Sequence, residues 1–259
     1  LVTGYDIIQA WVSRMIYSGL EYTGKKPFDN VFIHGIVRDS QGRKMSKSLG
    51  NGVDPLDVIN EYSTDALRFS LILGITAGND IRYMPEKLES SSNFANKLWN
   101  ASKFVLMNLE DYDGIYDEKD LCKEDKWILS KLNTLVKEVT NNIDNFDIGV
   151  STQKIYDFIW NEFCDWYIEM AKTRLYSDDE NKKIQVSYIL VNILSNSLKL
   201  LHPFMPFITS KIYEVISEYT DNKELMVSDW PVAENIEFAS DAKIVETLKD
   251  IIVEIRNIR

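Results

Sequence analysis

From Pro85 to the last residue, apolar side chains return every three or four positions through segment after segment. That period belongs to helices that bury one face. Residues 85–109 carry Phe94, Leu98, Ala101, Val105 and Leu109 on one stripe, widened by Leu88, Ala95, Trp99, Ser102 and Leu106. Residues 125–145 place Ile128, Leu132, Leu135, Val139 and Ile143 on a second stripe. Residues 150–176 place Ile155, Ile159, Phe163, Trp166 and Met170 on a third. Further helices are predicted over 181–201, stopped by Pro203, over 206–219, and from 241 with Ile244, Leu248, Ile251, Ile255 and Ile258 in register. A strand-like stretch, MVSDWP, precedes the last of these. Short links join most of the helices, so an antiparallel bundle is expected. The exception is an acidic linker, EDYDGIYDEKDLCKED, read as solvated. With 45% apolar and 12% aromatic residues over 259 positions, the chain has the material for such a core.

Before Pro85 the pattern is mixed. Residues 5–20 are apolar at 7, 8, 11, 12, 15 and 16, which is helical spacing. NVFIHGIV at 30–37 is β-rich, and Asp39-Ser40-Gln41-Gly42 is a turn signal, so a strand and hairpin are expected there. Asp54-Pro55 reads as an N-cap with proline at the first helical position, opening a short helix to residue 62. Ser63 caps another helix that stops at Gly74.

The net charge of −11 is unevenly spread. Residues 1–88 hold ten Lys+Arg and ten Asp+Glu, whereas 89–259 hold 19 and 30. Such an acidic second half lacks the basic footprint of non-specific nucleic-acid binding, so a polyanionic partner must meet local patches. Cys122 and Cys164 form no CxxC pair and only two histidines are present, so no bound zinc is expected. Free cysteines fit a reducing cytoplasm, and Cys164 reads as a small core residue. No run of about 18 apolar residues indicates a membrane span. The chain begins at Leu1 without a signal peptide, and its last helical pattern is still running at Arg259. It reads as an excerpt from something longer.

Residues 42–51, GRKMSKSLGN, hold Arg43, Lys44 and Lys47 with Ser46, Ser48 and Asn51 between Gly42 and Gly50. A loop of this kind is either a solvated connector or an anion cradle in which mobile lysines meet phosphate. It is not a P-loop, because GxxxxGK[ST] does not occur. Spacing alone leaves both readings open.

KMSKS at positions 44–48 matches, residue for residue, the signature of class I aminoacyl-tRNA synthetases. LVTGYDII at 1–8 with Trp11, FIHGIVRDSQGRKMSKSLGNGVDP at 32–55, DALRF at 65–69 and NFANKLWNASKFVLMNL at 93–109 extend the likeness. With CDWYIE at 164–169 and LHPFMPFIT at 201–209, essentially the whole chain resembles the valine, isoleucine and leucine subgroup. NGVDP at 51–55 and GND at 78–80 resemble the valine-specific members, with the isoleucine-specific ones as the alternative.

The resemblance implies a mainly α fold. An anticodon-binding helical bundle at 85–238 would follow the C-terminal α/β part of a Rossmann catalytic domain, with its stem-contact segment, at 1–84. Residues 239–259 would begin a helical extension. The implied parent is a monomeric, cytoplasmic ligase that activates L-valine with ATP, supplied with Mg2+ as substrate, and transfers it to tRNA(Val). Lys44 and Lys47 would be catalytic, stabilising charge on the phosphates as pyrophosphate departs. Met45, Ser46 and Ser48 would complete that loop, and Gly4, Asp6, His34 and Gly35 would line the adenosine side. The family's other phosphate motif, HIGH, and its large editing insertion do not occur, so the 259 residues alone are expected to be inactive. The rival is a non-catalytic helical interaction module whose lysine loop is incidental. On the first bundle helix, Asn93, Lys97, Asn100, Phe104 and Asn108 share a polar face. An aromatic among amides and a cation suggests a platform for an unstacked anticodon base, with Lys97, Asn93 and Asn100 meeting phosphate or base edges.

Overall fold

The predicted stripes are where burial begins. Phe94, Leu98, Ala101, Val105 and Leu109 are buried, most of them on α4 (Pro85–Leu106). The computed structural model describes residues 1–109, 112, 121–220, 223–234 and 238–258; most of the acidic linker lies outside them. α4 ends at Leu106 rather than at 109, because a tighter turn through Met107 and Asn108 follows. Trp99 does not widen the stripe. It is 46% exposed, roughly a third of a turn from the stripe's centre.

α5 (Lys123–Asp144) begins at Cys122, whose side chain and Asp125 form a reciprocal cap. Ile128, Leu132, Leu135 and Val139 are buried, and Ile143 packs at the edge. The next predicted helix is continuous over Ile148–Leu175 but changes winding. α6 (Ile148–Asp157) gives way to a wide π-helical stretch, Phe158–Tyr167, before α7 (Ile168–Leu175). Each wider turn takes an extra residue, so the inward face advances by one position. Ile155, Ile159 and Phe163 are buried as the spacing predicts, and the buried line then passes to Tyr167, Ala171 and Leu175. Trp166 and Met170 are left half-buried beside it.

α8 (Glu180–Leu201) is long and apolar enough to cross a bilayer by length and composition. Here Val186, Ile189, Leu190, Ile193, Leu194, Leu198 and Leu201 are buried in the bundle. α9 (Pro206–Ile216) is extended by a short tight turn to Tyr219. The strand expected at MVSDWP is absent. A 3-10 turn over Leu225–Val227 stands there instead, and Trp230 fastens the segment by donating to the Thr140 hydroxyl at 2.9 Å. α10 (Ala239–Ile258) packs on α5.

In the first part, β1 (Val2–Gly4) and β2 (Phe32–His34) pair in parallel, with Gly4 opposite His34. A helical connection joins them, as parallel pairing requires. It starts with a tight turn at Tyr5–Ile7, widens over Ile8–Val12, and continues as α1 (Ser13–Thr23). Of its predicted apolar face only Val12 is buried; Trp11 is 54% exposed. β3 (Val37–Arg38) pairs in parallel with β4 (Ile81–Arg82), and an Arg38–Lys44 bridge closes the expected hairpin. α2 (Pro55–Tyr62) starts as predicted, with the Asp54 carboxylate accepting from Leu56 N at 2.9 Å. α3 (Thr64–Ser70) is capped by the Ser63 hydroxyl but stops short of Gly74. Backbone bonds continue irregularly to Leu73 N, which donates to the Phe69 carbonyl, and then Gly74 N turns to the Gly149 carbonyl, with the Thr152 hydroxyl 3.3 Å from the Ile72 carbonyl. A tertiary partner thus takes over where the helical pattern stops.

Candidate functional site

The lysine loop leaves β3, turns at Gly42 (φ 80°), and ends at Gly50 (φ 59°). Both lie in the left-handed region that glycine enters without strain. Between them, Ser46 caps a 3-10 turn over Lys47–Leu49. Its hydroxyl accepts from Leu49 N at 3.3 Å and lies 3.2 Å from the Ser48 hydroxyl. Lys47 is exposed and forms no ion pair among the described residues.

The loop's base is tied by two residues that sequence reasoning left out of the site. Asn51 Nδ2 donates to Asp39 Oδ2 at 2.9 Å and to the Lys44 carbonyl at 3.3 Å, while its Oδ1 accepts from Ser46 N at 2.9 Å. Asp39, itself buried, also accepts from Gln41 N, Arg43 N and Arg43 Nε at 3.1, 2.8 and 2.8 Å. The Asn51 amide, and then the Arg43 backbone and guanidinium, hold the Asp39 carboxyl down at about 2 against an opposing effect of burial. Asp39 had been read only as a turn residue.

Several residues proposed for the nucleotide come together beside this loop. Lys44 Nζ lies 3.4 Å from Asp6 Oδ2. A Cβ on Gly4 would sit 2.8 Å from Asp6 Oδ1 and 3.6 Å from the His34 ring. The exposed His34 ring has Nδ1 2.7 Å from the Gly35 carbonyl. At Gly35 a Cβ would lie 2.0 Å from the Asn79 carbonyl oxygen, so only glycine lets the 78–80 segment approach. From that segment Asp80 accepts from Ile36 N at 2.9 Å, from Tyr5 Oη at 3.1 Å and from the Arg38 guanidinium. The Ile36 N–H foremost, with Arg38, lowers the Asp80 pKa. Arg38 reaches on to the Gly42 carbonyl at 3.3 Å. Tyr5, Arg38 and Asp80 therefore brace the loop's first hinge. GND offered a signal for Asp80, but the partners lie too far apart in sequence to be paired by reading it.

On α4, Asn93 and Asn100 are exposed and Phe104 is half-buried. Lys172 Nζ stands 5.6 Å from the Phe104 ring centroid, and Asn108 Nδ2 donates to the Phe104 carbonyl. Lys97 is engaged within the protein: its Nζ is 2.5 Å from Asp165 Oδ1 and 3.8 Å from the Trp160 ring centroid. Trp160 in turn stacks on Tyr156, at 5.6 Å and 14°. The exposed cation of the reading is thus a paired one. Neither cysteine is reactive in character: burial pushes both thiols up to about 12.

Residues 1–84 match the family model for class I tRNA synthetases (I, L, M and V), and residues 125–259 match that for the anticodon-binding domain of tRNA ligase. A valine–tRNA ligase of Clostridium perfringens is 52% identical over the whole chain, which spans 29% of that relative's length. One of Bacillus subtilis is 50% identical, with 30% of its length spanned. Among solved structures, the Agrobacterium radiobacter K84 LeuRS in ternary complex with tRNA and LeuAMS superposes with a TM-score of 0.71 at 20% identity. That match covers 90% of this chain and 28% of the other. Mycobacterium tuberculosis methionyl-tRNA synthetase in complex with methionyl-adenylate gives 0.71 at 22%, covering 87% and 45%. At such identities these two establish a common fold.

Proposed function

We propose, for a chain that belongs to the class I tRNA synthetases, that it forms the lysine-loop and anticodon-binding segment of a valine–tRNA ligase. Half-identity over its full length to valine ligases favours valine over isoleucine. The chemistry rests on one observation: Lys44 meets Asp6 beside Gly4 and His34, while Lys47, exposed and with no ion pair among the described residues, follows three residues on. ATP, with its Mg2+, enters against Gly4, Asp6, His34 and Gly35, whose glycines let Asp6 and the 78–80 segment pack closely around the nucleotide's place. Its phosphates compete with Asp6 for Lys44, and the hinges at Gly42 and Gly50 let Lys47 follow. The valine carboxylate attacks the α-phosphorus and pyrophosphate leaves. Both ammonium groups act on the charge that develops on the leaving group, which is electrostatic stabilisation of the transition state. Met45, Ser46 and Ser48 hold the loop's shape around them.

The aminoacyl group then passes to tRNA(Val), bound through the bundle at 85–238. Asn93, Asn100, Phe104 and Lys97 are the proposed anticodon contacts, with Lys97 exchanging Asp165 for the RNA. The protein works as a monomer in the cytoplasm, and 1–84 supplies the catalytic part and 239–259 the start of an extension. The test is amino-acid-dependent pyrophosphate exchange and tRNA(Val) charging by the whole protein that carries this chain. Exchange with valine is expected. Exchange supported by isoleucine in its place overturns the valine assignment, and exchange with neither overturns the reading. Residues 1–259 alone, lacking HIGH, are expected to give no exchange above a blank.

A further inference from the structure

The first turn of a helix leaves backbone N–H groups without intrahelical partners, and the last turn leaves carbonyls. At the α8–α9 junction one distant helix meets donors of the first set and, beside them, two carbonyls of the connecting turn. α9 opens with Pro206, which has no N–H to offer, and no side chain of its own segment caps it. The next two donors, Phe207 N and Ile208 N, give to Asp65 Oδ1 and Oδ2 at 3.3 and 2.7 Å. Just past the end of α8, the Pro203 and Phe204 carbonyls accept from Arg68 Nη2 and Nε at 3.1 and 3.4 Å. Asp65 and Arg68 are three apart on α3 and so share a face. The anion sits at the positive start of α9, and the cation at carbonyls beyond the negative end of α8, which is the favourable sense for both helix dipoles. Asp65 is buried while Arg68 is at the surface.

α3 is also fixed on its other sides. Phe69 stacks on Phe94 of α4, with ring centroids 5.2 Å apart at 16°, and the Ile72 carbonyl accepts from Thr152 of α6. Toward the loop, α3 follows α2 through Ser63, held at φ 106°, and α2 starts at Asp54, three residues after Asn51. A short chain of fixed elements therefore runs from the lysine loop to the α8–α9 turn. We infer that Asp65 and Arg68 are positioning residues: they set the bundle's orientation against the lysine loop, and so align a bundle-bound tRNA with the site of activation. This rests on the synthetase function proposed above. It predicts a division of labour, because activation of the amino acid needs the catalytic part of the whole protein without the bundle, whereas transfer needs loop and bundle in register.

The experiment compares Arg68→Ala, Arg68→Lys and Asp65→Asn in the whole protein that carries this chain, with thermal unfolding as the control for folding. Arg68→Ala, a surface change, is the variant that keeps the test clear of misfolding. Expected for Arg68→Ala is a fall in kcat for tRNA charging on the order of a hundredfold, the effect of roughly ångström-scale misplacement. The KM for tRNA and valine-dependent pyrophosphate exchange should stay unchanged. Arg68→Lys, which keeps a donor, should recover part of the loss, and Asp65→Asn, which keeps one acceptor, should fall between. If exchange and charging drop in parallel, or if neither moves, the positioning role is overturned while the function stands. No exchange in the unsubstituted protein overturns the function and this inference with it.

Discussion

The Asp125 carboxylate, fully buried, takes both terminal nitrogens of Arg174 at 2.6 Å and the Tyr167 hydroxyl at 2.6 Å. Burial alone would lower the Arg174 pKa, but the hydrogen bonds and charge of Asp125 outweigh it and the shift is upward. Burial, foremost, likewise keeps Tyr167 protonated. The pair joins the start of α5 to α7 just past the π-helical stretch. Removing one partner strands the other charge in the interior. Asp125→Ala should therefore cost about 3–5 kcal/mol, and Tyr167→Phe, which loses one hydrogen bond to a charged group, about 1.5–3 kcal/mol. Urea unfolding checks both, and a smaller loss for Asp125→Ala than for Tyr167→Phe would contradict the account.

Two glycines beside the loop should respond oppositely to a methyl group. At Gly35 the added Cβ meets the Asn79 carbonyl at 2.0 Å, so the 78–80 segment must move and Asp80 with it. Gly35→Ala should destabilise by about 1–3 kcal/mol, as overpacking does. At Gly52 nothing lies within 4 Å and φ is ordinary. Gly52→Ala should be neutral or stabilising by about 0.4–1 kcal/mol, through a less flexible unfolded chain. Equal melting temperatures for the two variants would count against the close approach.

Lys47 has no described partner to lose, so Lys47→Ala should leave stability within about 0.5 kcal/mol. In the whole protein it should slow adenylate formation by about 2.7–4 kcal/mol, the loss seen on removing a single electrostatic stabiliser. Valine affinity should hold, because the ammonium acts in the transition state. Single-turnover adenylate formation separates the two, and weakened valine binding with an unchanged chemical step would remove Lys47 from its role.

Asp39 gives the loop a dependence on acid. Its carboxyl is depressed from 3.8 to about 2, chiefly by the Asn51 amide. The folded state therefore favours the carboxylate. Its stabilisation is complete above 3.8 and is lost as pH falls through about 2. Asn51→Ala removes the largest contribution and should move the Asp39 midpoint upward toward 3.8. Carbon-detected NMR titration of the Asp39 carboxyl reads this directly, and an unmoved midpoint would mean Asn51 is not what holds it.

What could be read from residue order was local. Asp54-Pro55, Ser63 and the stripes on α4 and α5 depend on neighbours within a turn or two, so these caps and helix faces were legible, whereas on α10 Val245 and Lys249 are buried and the predicted Ile244, Leu248, Ile251 and Ile255 are exposed. The π-helical stretch was not, since an extra residue per turn leaves no mark on side-chain spacing until the inward line slips from Trp166 to Tyr167. Trp99 looked like core because a large aromatic weighs toward burial, yet its angle on α4 sends it outward. At the site, Lys44 and Lys47 stood out by their motif. Asp39, Asn51 and Asp80 did not, because each acts through partners made adjacent only by folding, such as Tyr5 with Asp80.

The α4 face holds the prediction most altered by the structure. Phe104 was expected to stand among polar groups, and it is half-buried with Lys172 above its ring. A base stacking on the ring would gain a second cation in Lys172. Replacing Phe104 by Ala in the whole protein should weaken tRNA charging by about 1–3 kcal/mol, the range for a base–aromatic stack. Valine-dependent pyrophosphate exchange, which needs no tRNA, should be unchanged. Lys97 supplies an independent check. It must leave Asp165 and Trp160 to reach a phosphate, so Lys97→Ala should weaken tRNA binding similarly for all tRNA sequences and reduce the salt slope by about one. If Phe104→Ala lowers exchange and charging together, or the protein melts far earlier, then the ring serves the bundle core and the anticodon contact lies elsewhere. If the salt slope does not move in Lys97→Ala, that lysine stays with Asp165 in the complex and the RNA is met by Asn93, Asn100 and Phe104 without it.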